Sequence, residues 1–223
     1  MREIVIVGFP KCGTSALLRR FAEEDDVQVL LSPTGSVDAR FPDRSVIEPG
    51  KRVVHKYPSY ILSREDLLRL RDEIDAPHLV LCYRPLPRVL LSWHNMHRRL
   101  ARTGKHPNHF VQRDPEFWAN CSVDDYYRRS VHRFRIDMFF ERIVRMFPAE
   151  ALTVVAQERM ARSLANVVKE LKGEAAVEAE EPAHQGYADR ADVAIDPQIL
   201  GELDATFQRF LERVAQDGVR HLA

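Results

Sequence analysis

The residues most able to do chemistry stand near the start of the chain. An apolar run, IVIVG, leads into Gly8-Phe9-Pro10-Lys11-Cys12-Gly13-Thr14-Ser15-Ala16 and then a helical pattern. A tight loop between a strand and a helix N-terminus presents backbone N–H groups and the positive end of the helix dipole to an anion. Gly13 lets the backbone approach that anion closely. Thr14 and Ser15 supply hydroxyls, and Lys11 a mobile cation. The stretch from Lys11 through Ala16 is therefore the first candidate anion cradle.

A second lies after the apolar run HLVLCY, in Arg84-Pro85-Leu86-Pro87-Arg88 and onward to Ser92. Proline suits a helix start, where first-turn N–H groups have no intrahelical partner. Arg84 then sits at a strand end, and Arg88 and Ser92 share one helical face. Guanidinium forks bind phosphate bidentately, and the serine hydroxyl adds a donor. Two separated anion sites predict a ligand with phosphate-type groups at both ends. The loop departs from the pattern GxxxxGK[ST], which needs lysine directly after the second glycine. Thr14 stands there instead, which weakens a kinase or NTPase reading without removing it.

The elements that must position these groups alternate. Short runs rich in Val, Ile and Leu, apolar at nearly every position, predict strands at Glu3–Val7, Val27–Leu31, Arg52–His55, Leu79–Tyr83 and Leu152–Val155. Helical periodicity covers Thr14–Glu24, Arg64–Ile74, Pro87–Ala101, Val123–Phe147, Arg159–Leu171 and Pro197–Val214. Strand–helix alternation predicts an α/β fold of three layers with a central parallel sheet of about five strands flanked by helices, and the glycine loop after the first strand makes it P-loop-like. Such folds bind ligands beyond the carboxyl ends of their strands. One domain over 1–223 is expected, with acceptor or lid loops at 32–50 and 102–122.

Composition narrows the classes. Lys plus Arg and Asp plus Glu both number 33, so no global field favours nucleic acid or an anionic membrane. No apolar run approaches the ~20 residues of a membrane span, and the first leads into a glycine loop rather than a cleavage site, so a cytoplasmic location is expected. Three widely spaced cysteines make no disulfide framework or metal motif.

Taken in order, the motifs resemble those of sulfotransferases that use 3′-phosphoadenosine 5′-phosphosulfate (PAPS). PKCGTSALL resembles the family's 5′-phosphosulfate loop, PKxGTTxL. YRPLPRVLLSW resembles its RxPxxRxxS stretch, which holds the 3′-phosphate through residues matching Arg84 and Ser92. HKYPSYI resembles the EKTPxYF segment of the heparan-type branch, and LTVVAQERM a strand-plus-glutamate stretch with Glu158 in the matching place. The resemblance implies PAPS as co-substrate, no metal, a small-molecule or carbohydrate acceptor, and roles near the sulfuryl group for Lys11 and Lys56. Gly186, Tyr187 and Arg190 lie where relatives fold a loop over the nucleotide.

The general base is left open. Phenol and steroid sulfotransferases carry a histidine two residues after the matching lysine, where this chain has Pro58. Heparan-type relatives carry a glutamate after the second strand, where this chain reads SPTGSVDARF. Asp38 is the nearest carboxylate, His55 the other candidate, and Glu48 a third. His55 adjoins Lys56, but adjacent strand residues point to opposite faces. A non-catalytic nucleotide-binding relative is the remaining alternative. From Arg84 to Arg113 there are seven Arg or Lys and no Asp or Glu. Beyond those serving the 3′-phosphate, Arg98, Arg99, Arg102, Lys105 and Arg113 flank an anionic acceptor or form a solvated face. Phe110, Phe117 and Trp118 read as an acceptor wall or a satellite core, and His94, His97, His106 and His109 as surface or lid residues.

Overall fold

The computed structural model describes residues 3–9, 11–104, 109–175 and 194–223. In chain order the elements are β1 (Ile4–Gly8), α1 (Thr14–Phe21), β2 (Val27–Leu30), β3 (Arg52–Lys56), α2 (Arg64–Glu73), β4 (His78–Tyr83), α3 (Leu86–Thr103), α4 (His109–Gln112) and α5 (Pro115–Asn120). They continue with α6 (Val123–Ser130), α7 (Ile136–Met146), β5 (Leu152–Ala156), α8 (Gln157–Arg162), α9 (Leu164–Lys172), α10 (Pro197–Gln216) and β6 (Arg220–Leu222). No helix among the described residues is long and apolar enough to cross a membrane.

The sheet is parallel throughout, in the order β2-β3-β1-β4-β5-β6. β1 and β5 are buried at every position, as strands covered on both faces must be. Helices flank it in two groups. α1 packs against α9 on one side; α2, α7, α10 and α3 form a connected series on the other. The sheet has six strands rather than about five. β6 is three residues with two exposed, so it carries no apolar run, and pairing with β5 alone creates it.

Two long predicted helices are broken. The helical pattern over 123–147 divides at Ser130, whose hydroxyl donates back to Tyr126 O at 2.6 Å, and continues through a 3₁₀ turn, Val131–Phe134. The turn rotates the following helix so that Phe134 and Phe140 enter the core. The pattern over 159–171 divides at Ser163, whose φ of −158° is extended. The 102–122 loop holds the short helices α4 and α5, the latter capped by Asp114, which accepts from Phe117 N at 3.2 Å.

The chain order places the site. β1 is flanked by β3 on one side and β4 on the other, and the connection from β3 to β4 crosses over it. β1 and β4 are thus the neighbours at which the winding reverses, where open α/β sheets form a ligand crevice. Gly8 faces Cys82 in that pair. Its φ is +128°, and a Cβ there would lie 2.3 Å from Cys82 O, so only glycine lets the two strand ends lie this close.

Candidate active site

At the end of β1 the backbone turns sharply. Lys11 has φ +74°, uncommon for a side-chain-bearing residue. Gly13 caps α1 with φ +84°, and a Cβ on it would meet Met160 Cε at 2.8 Å. Met160 and Gln157, from the start of α8, therefore back the loop from the β5 side. That support was not legible in the sequence, because the contact joins residues almost 150 positions apart.

Within the loop the side chains divide. Cys12 and Thr14 turn inward and are buried. Burial and the neighbouring Cys82 push the Cys12 thiol far up, so it is protonated and inert. The Cys12 N–H donates to Phe9 O at 3.3 Å and holds the turn. The Ala16 N–H donates to Gly13 O at 2.9 Å, inside the first turn of α1. The N–H groups at the start of α1 lack intrahelical partners, as the first N–H groups of any helix do, and are available to an anion. The Lys11 ammonium is held below its ordinary value, by partial desolvation first and by the charge of Arg99 second.

Arg84, at the end of β4, is 7% exposed. Its Nη1 donates to Lys11 O at 3.2 Å, so the second anion segment touches the first. Ser92 lies two turns along α3 and is half-buried. Arg88 is exposed, with Nη1 3.8 Å from Glu158 Oε1.

Lys56 closes β3 and is 2% exposed. Its Nζ donates to Ser15 Oγ at 2.9 Å and lies 2.6 Å from Asp38 Oδ1. The Asp38 side chain is 53% exposed, open to an incoming molecule. The loop that carries Asp38 is fixed rather than loose. Ala39 N donates to Lys56 O at 2.8 Å, Phe41 N to Tyr60 Oη at 2.7 Å, and Arg40 grips Asp66 through both Nε and Nη2.

His55 takes the opposite face of the strand. It is fully buried, with Nδ1 2.9 Å from Glu3 Oε1 and Nε2 3.5 Å from Tyr60 Oη. Glu3 also pairs with Arg44 at 2.6 Å. This network braces the 32–50 loop from beneath, and the expectation of His55 as a base at the reaction centre is not met by that position. Glu48 is exposed at the other end of β3, just before the turn into Arg52, and is likewise remote from Lys56.

Two further expectations change. His94 and His97 are buried rather than on a surface or lid. His94 Nε2 lies 3.0 Å from Cys121 O, and the Tyr126 hydroxyl lies 2.8 Å from His97 Nδ1. Trp118 joins them, 5.4 Å from the Tyr126 ring, and both rings belong to the main hydrophobic core. Gly186, Tyr187, Arg190, Lys105 and His106 lie outside the described residues, as do the side chains of His109 and Phe110.

The structure thus gathers Lys11, Ser15, Asp38, Lys56 and Arg84 at the carboxyl ends of three adjacent strands. Cations and backbone N–H groups face one crevice, with a carboxylate at its rim. Such a crevice can hold a doubly anionic ligand and take a proton from a second molecule. Among the described residues, no group of three or more His, Cys, Asp or Glu is placed to hold a metal ion.

No protein-family model matches the sequence, and no curated protein matches it significantly. Among solved structures the chain is similar to a sulfotransferase from Alicyclobacillus acidocaldarius. The TM-score is 0.62 over 98% of this chain and 96% of that one, at 18% identity, a likeness of fold.

Proposed function

We propose that this chain transfers a sulfuryl group from PAPS to a hydroxyl or amine of a small-molecule, sugar or lipid acceptor, releasing 3′,5′-ADP. The observation that carries the proposal is the contact between Arg84 and the Lys11 loop at the switch between β1 and β4. It brings the glycine loop and a buried guanidinium together at the ends of adjacent strands, which supports one nucleotide with two anionic ends reaching both. The likeness of fold to a sulfotransferase supports the same reading.

In this reading the loop from Lys11 to Ser15 holds the 5′-phosphosulfate, and Arg84 with Ser92 the 3′-phosphate. The acceptor oxygen attacks sulfur in line. Its bond to sulfur forms as the bond from sulfur to the bridging phosphate oxygen breaks. Asp38 takes the acceptor's proton, and negative charge gathers on the departing phosphate. Lys11, Lys56 and the loop N–H groups stabilise that charge without reorganising. Lys56 has a second task before donor binds: it holds Asp38 and Ser15 in place. No step calls for a metal, because fixed cations neutralise the leaving group. The unpaired cysteines Cys12, Cys82 and Cys121 suit a reducing compartment, and the reading includes a cytoplasmic location.

The deciding experiment is ligand-dependent stabilisation followed by turnover. Saturating 3′,5′-ADP without Mg²⁺ is expected to raise the melting temperature, as a ligand at 100 times its Kd adds about 2.7 kcal/mol. ATP with Mg²⁺ is expected to do little. The reverse preference would overturn the proposal in favour of a kinase or NTPase. Incubation with PAPS and an acceptor library, read by mass spectrometry for sulfate addition, separates an active enzyme from a binding-only relative.

A further inference from the structure

α3 begins at the second anion segment but does not lie back along the sheet. It packs on α5, α10 and α6, so its later turns extend beside the crevice. Those turns form a groove of about 340 Å³ lined by Asn95, Arg98, Arg99, Arg102 and Thr103. Arg88, Ser92, Asn95, Arg99 and Arg102 follow one another at steps of four, three, four and three, a single stripe along the helix. The groove therefore continues the face that carries the 3′-phosphate residues.

Elsewhere on this molecule arginines commonly meet carboxylates: Arg40 with Asp66, Arg129 with Asp114 and Arg213 with Asp217. Among the described residues, those of the groove do not. No Asp or Glu occurs between Arg84 and Arg113, and Asp114, the next in sequence, is held by Arg129 at 2.7 Å. Two of the forks are aimed by the protein. Arg98 Nε and Arg102 Nε donate to the same carbonyl, Ala119 O, at 3.3 and 3.2 Å. That shared tether uses the inner nitrogen of each guanidinium, and both arginines line the groove. Arg99, between them in sequence, is near enough to Lys11 for its charge to weigh on that ammonium. Like charges brought together without carboxylates are unfavourable in the empty protein, and an anion relieves them.

We infer that this arginine groove is the acceptor's anchoring subsite and that the acceptor carries a fixed anionic group, a carboxylate, sulfate or phosphate, apart from the nucleophile that is modified. Arg99 and Arg102 are its specificity residues. They act on binding and orientation, and the reacting atoms stay with Lys11, Lys56 and Asp38. The assignment rests on the sulfuryl-transfer reading for the identity of the neighbouring site. The anion-binding claim itself does not.

The test uses the full chain and inorganic pyrophosphate as the probe. Calorimetric titration into protein saturated with 3′,5′-ADP is expected to show saturable binding. In R99Q/R102Q, which keeps length and hydrogen-bonding capacity, that binding is expected to weaken at least about tenfold, since each charge-assisted bond lost counts for roughly that factor. The Kd of 3′,5′-ADP is expected to stay within about twofold, which also reports that the variant is folded. Two outcomes overturn the inference: no pyrophosphate binding in the native chain, or equal binding in R99Q/R102Q, which would place the anion in the Lys11 loop. If 3′,5′-ADP fails to bind, the donor assignment falls separately, and titration without nucleotide still reads the groove. With an acceptor identified, R99Q/R102Q is expected to raise its KM at least about tenfold with kcat little changed, the signature of lost uniform binding.

Discussion

Lys56 Nζ lies 2.6 Å from Asp38 Oδ1, joining the end of β3 to a loop that contains no regular structure. The lysine is almost wholly buried and the carboxylate half exposed. One end of the pair is therefore rigid and the other is presented outward. A group that must meet a variable acceptor while keeping its place beside a donor needs both properties.

Exchange of either partner tests the division of labour. Asp38→Asn is expected to lower turnover by about 10²–10⁴, the usual range for losing a general base, with the Kd of 3′,5′-ADP within a few-fold of native. Lys56→Ala is expected to lower turnover by a similar order while donor affinity falls less. Single-turnover rates beside calorimetric Kd values check both. Native turnover in Asp38→Asn would remove that carboxylate from the chemistry.

Arg84 should act on affinity instead. It is buried and also bonded to Lys11 O, so in the proposed reading Arg84→Ala removes a phosphate ligand and a brace of the loop together. The Kd of 3′,5′-ADP is expected to rise about 10–100-fold, as the loss of charge-assisted hydrogen bonds implies. Arg84→Lys, which keeps charge but not the fork, is expected to fall between. An unchanged Kd in Arg84→Ala would refute the assignment.

Lys11 carries a pH signature. Partial desolvation, and then Arg99, hold its ammonium below the ordinary lysine value of 10.5. In the proposed reading the charged form binds the donor, so donor affinity is expected at lower pH and is expected to be lost as pH rises through the Lys11 titration, which begins below 10.5. Arg99→Gln removes one of the two causes and is expected to move the inflection upward. Titrating Lys11 by NMR in both proteins, with donor affinity measured alongside, checks the sign. An unchanged inflection would place Arg99 away from Lys11.

Gly8 makes the site possible by letting β1 and β4 converge. Gly8→Ala would put a Cβ 2.3 Å from Cys82 O at φ +128°. The clash involves backbone on both sides and cannot be relieved by a rotamer. A loss of about 3 kcal/mol or more is expected, from strain and steric overlap together. Chemical denaturation measures it, and a change below about 1 kcal/mol would show that the strand ends can separate.

Much of the fold was legible before any coordinates, for physical reasons. Buried parallel strands must be apolar on both faces, so IVIVG and HLVLCY declare themselves. A strand-to-helix loop draws its residues from one short segment, so the sequence alone puts Lys11, Gly13 and Ser15 together at the end of β1. What local pattern could not carry were features made by distant partners. β6 exists because β5 offers an edge, and the division of the 123–147 and 159–171 helices follows from which side chains the core accepts. His55 and Asp38 stood level as base candidates because sequence places both near Lys56. The tertiary structure separates them: strand alternation turns His55 onto Glu3 and Tyr60, while the braced 32–50 loop carries Asp38 to the ammonium. The arginine groove is the same case. Its charges could be counted in the sequence, but their shared tether to Ala119 O and the approach of Arg99 to Lys11 depend on where α3 and α5 pack. Sequence determines a chain's local chemistry, and long-range packing determines which of those groups meet.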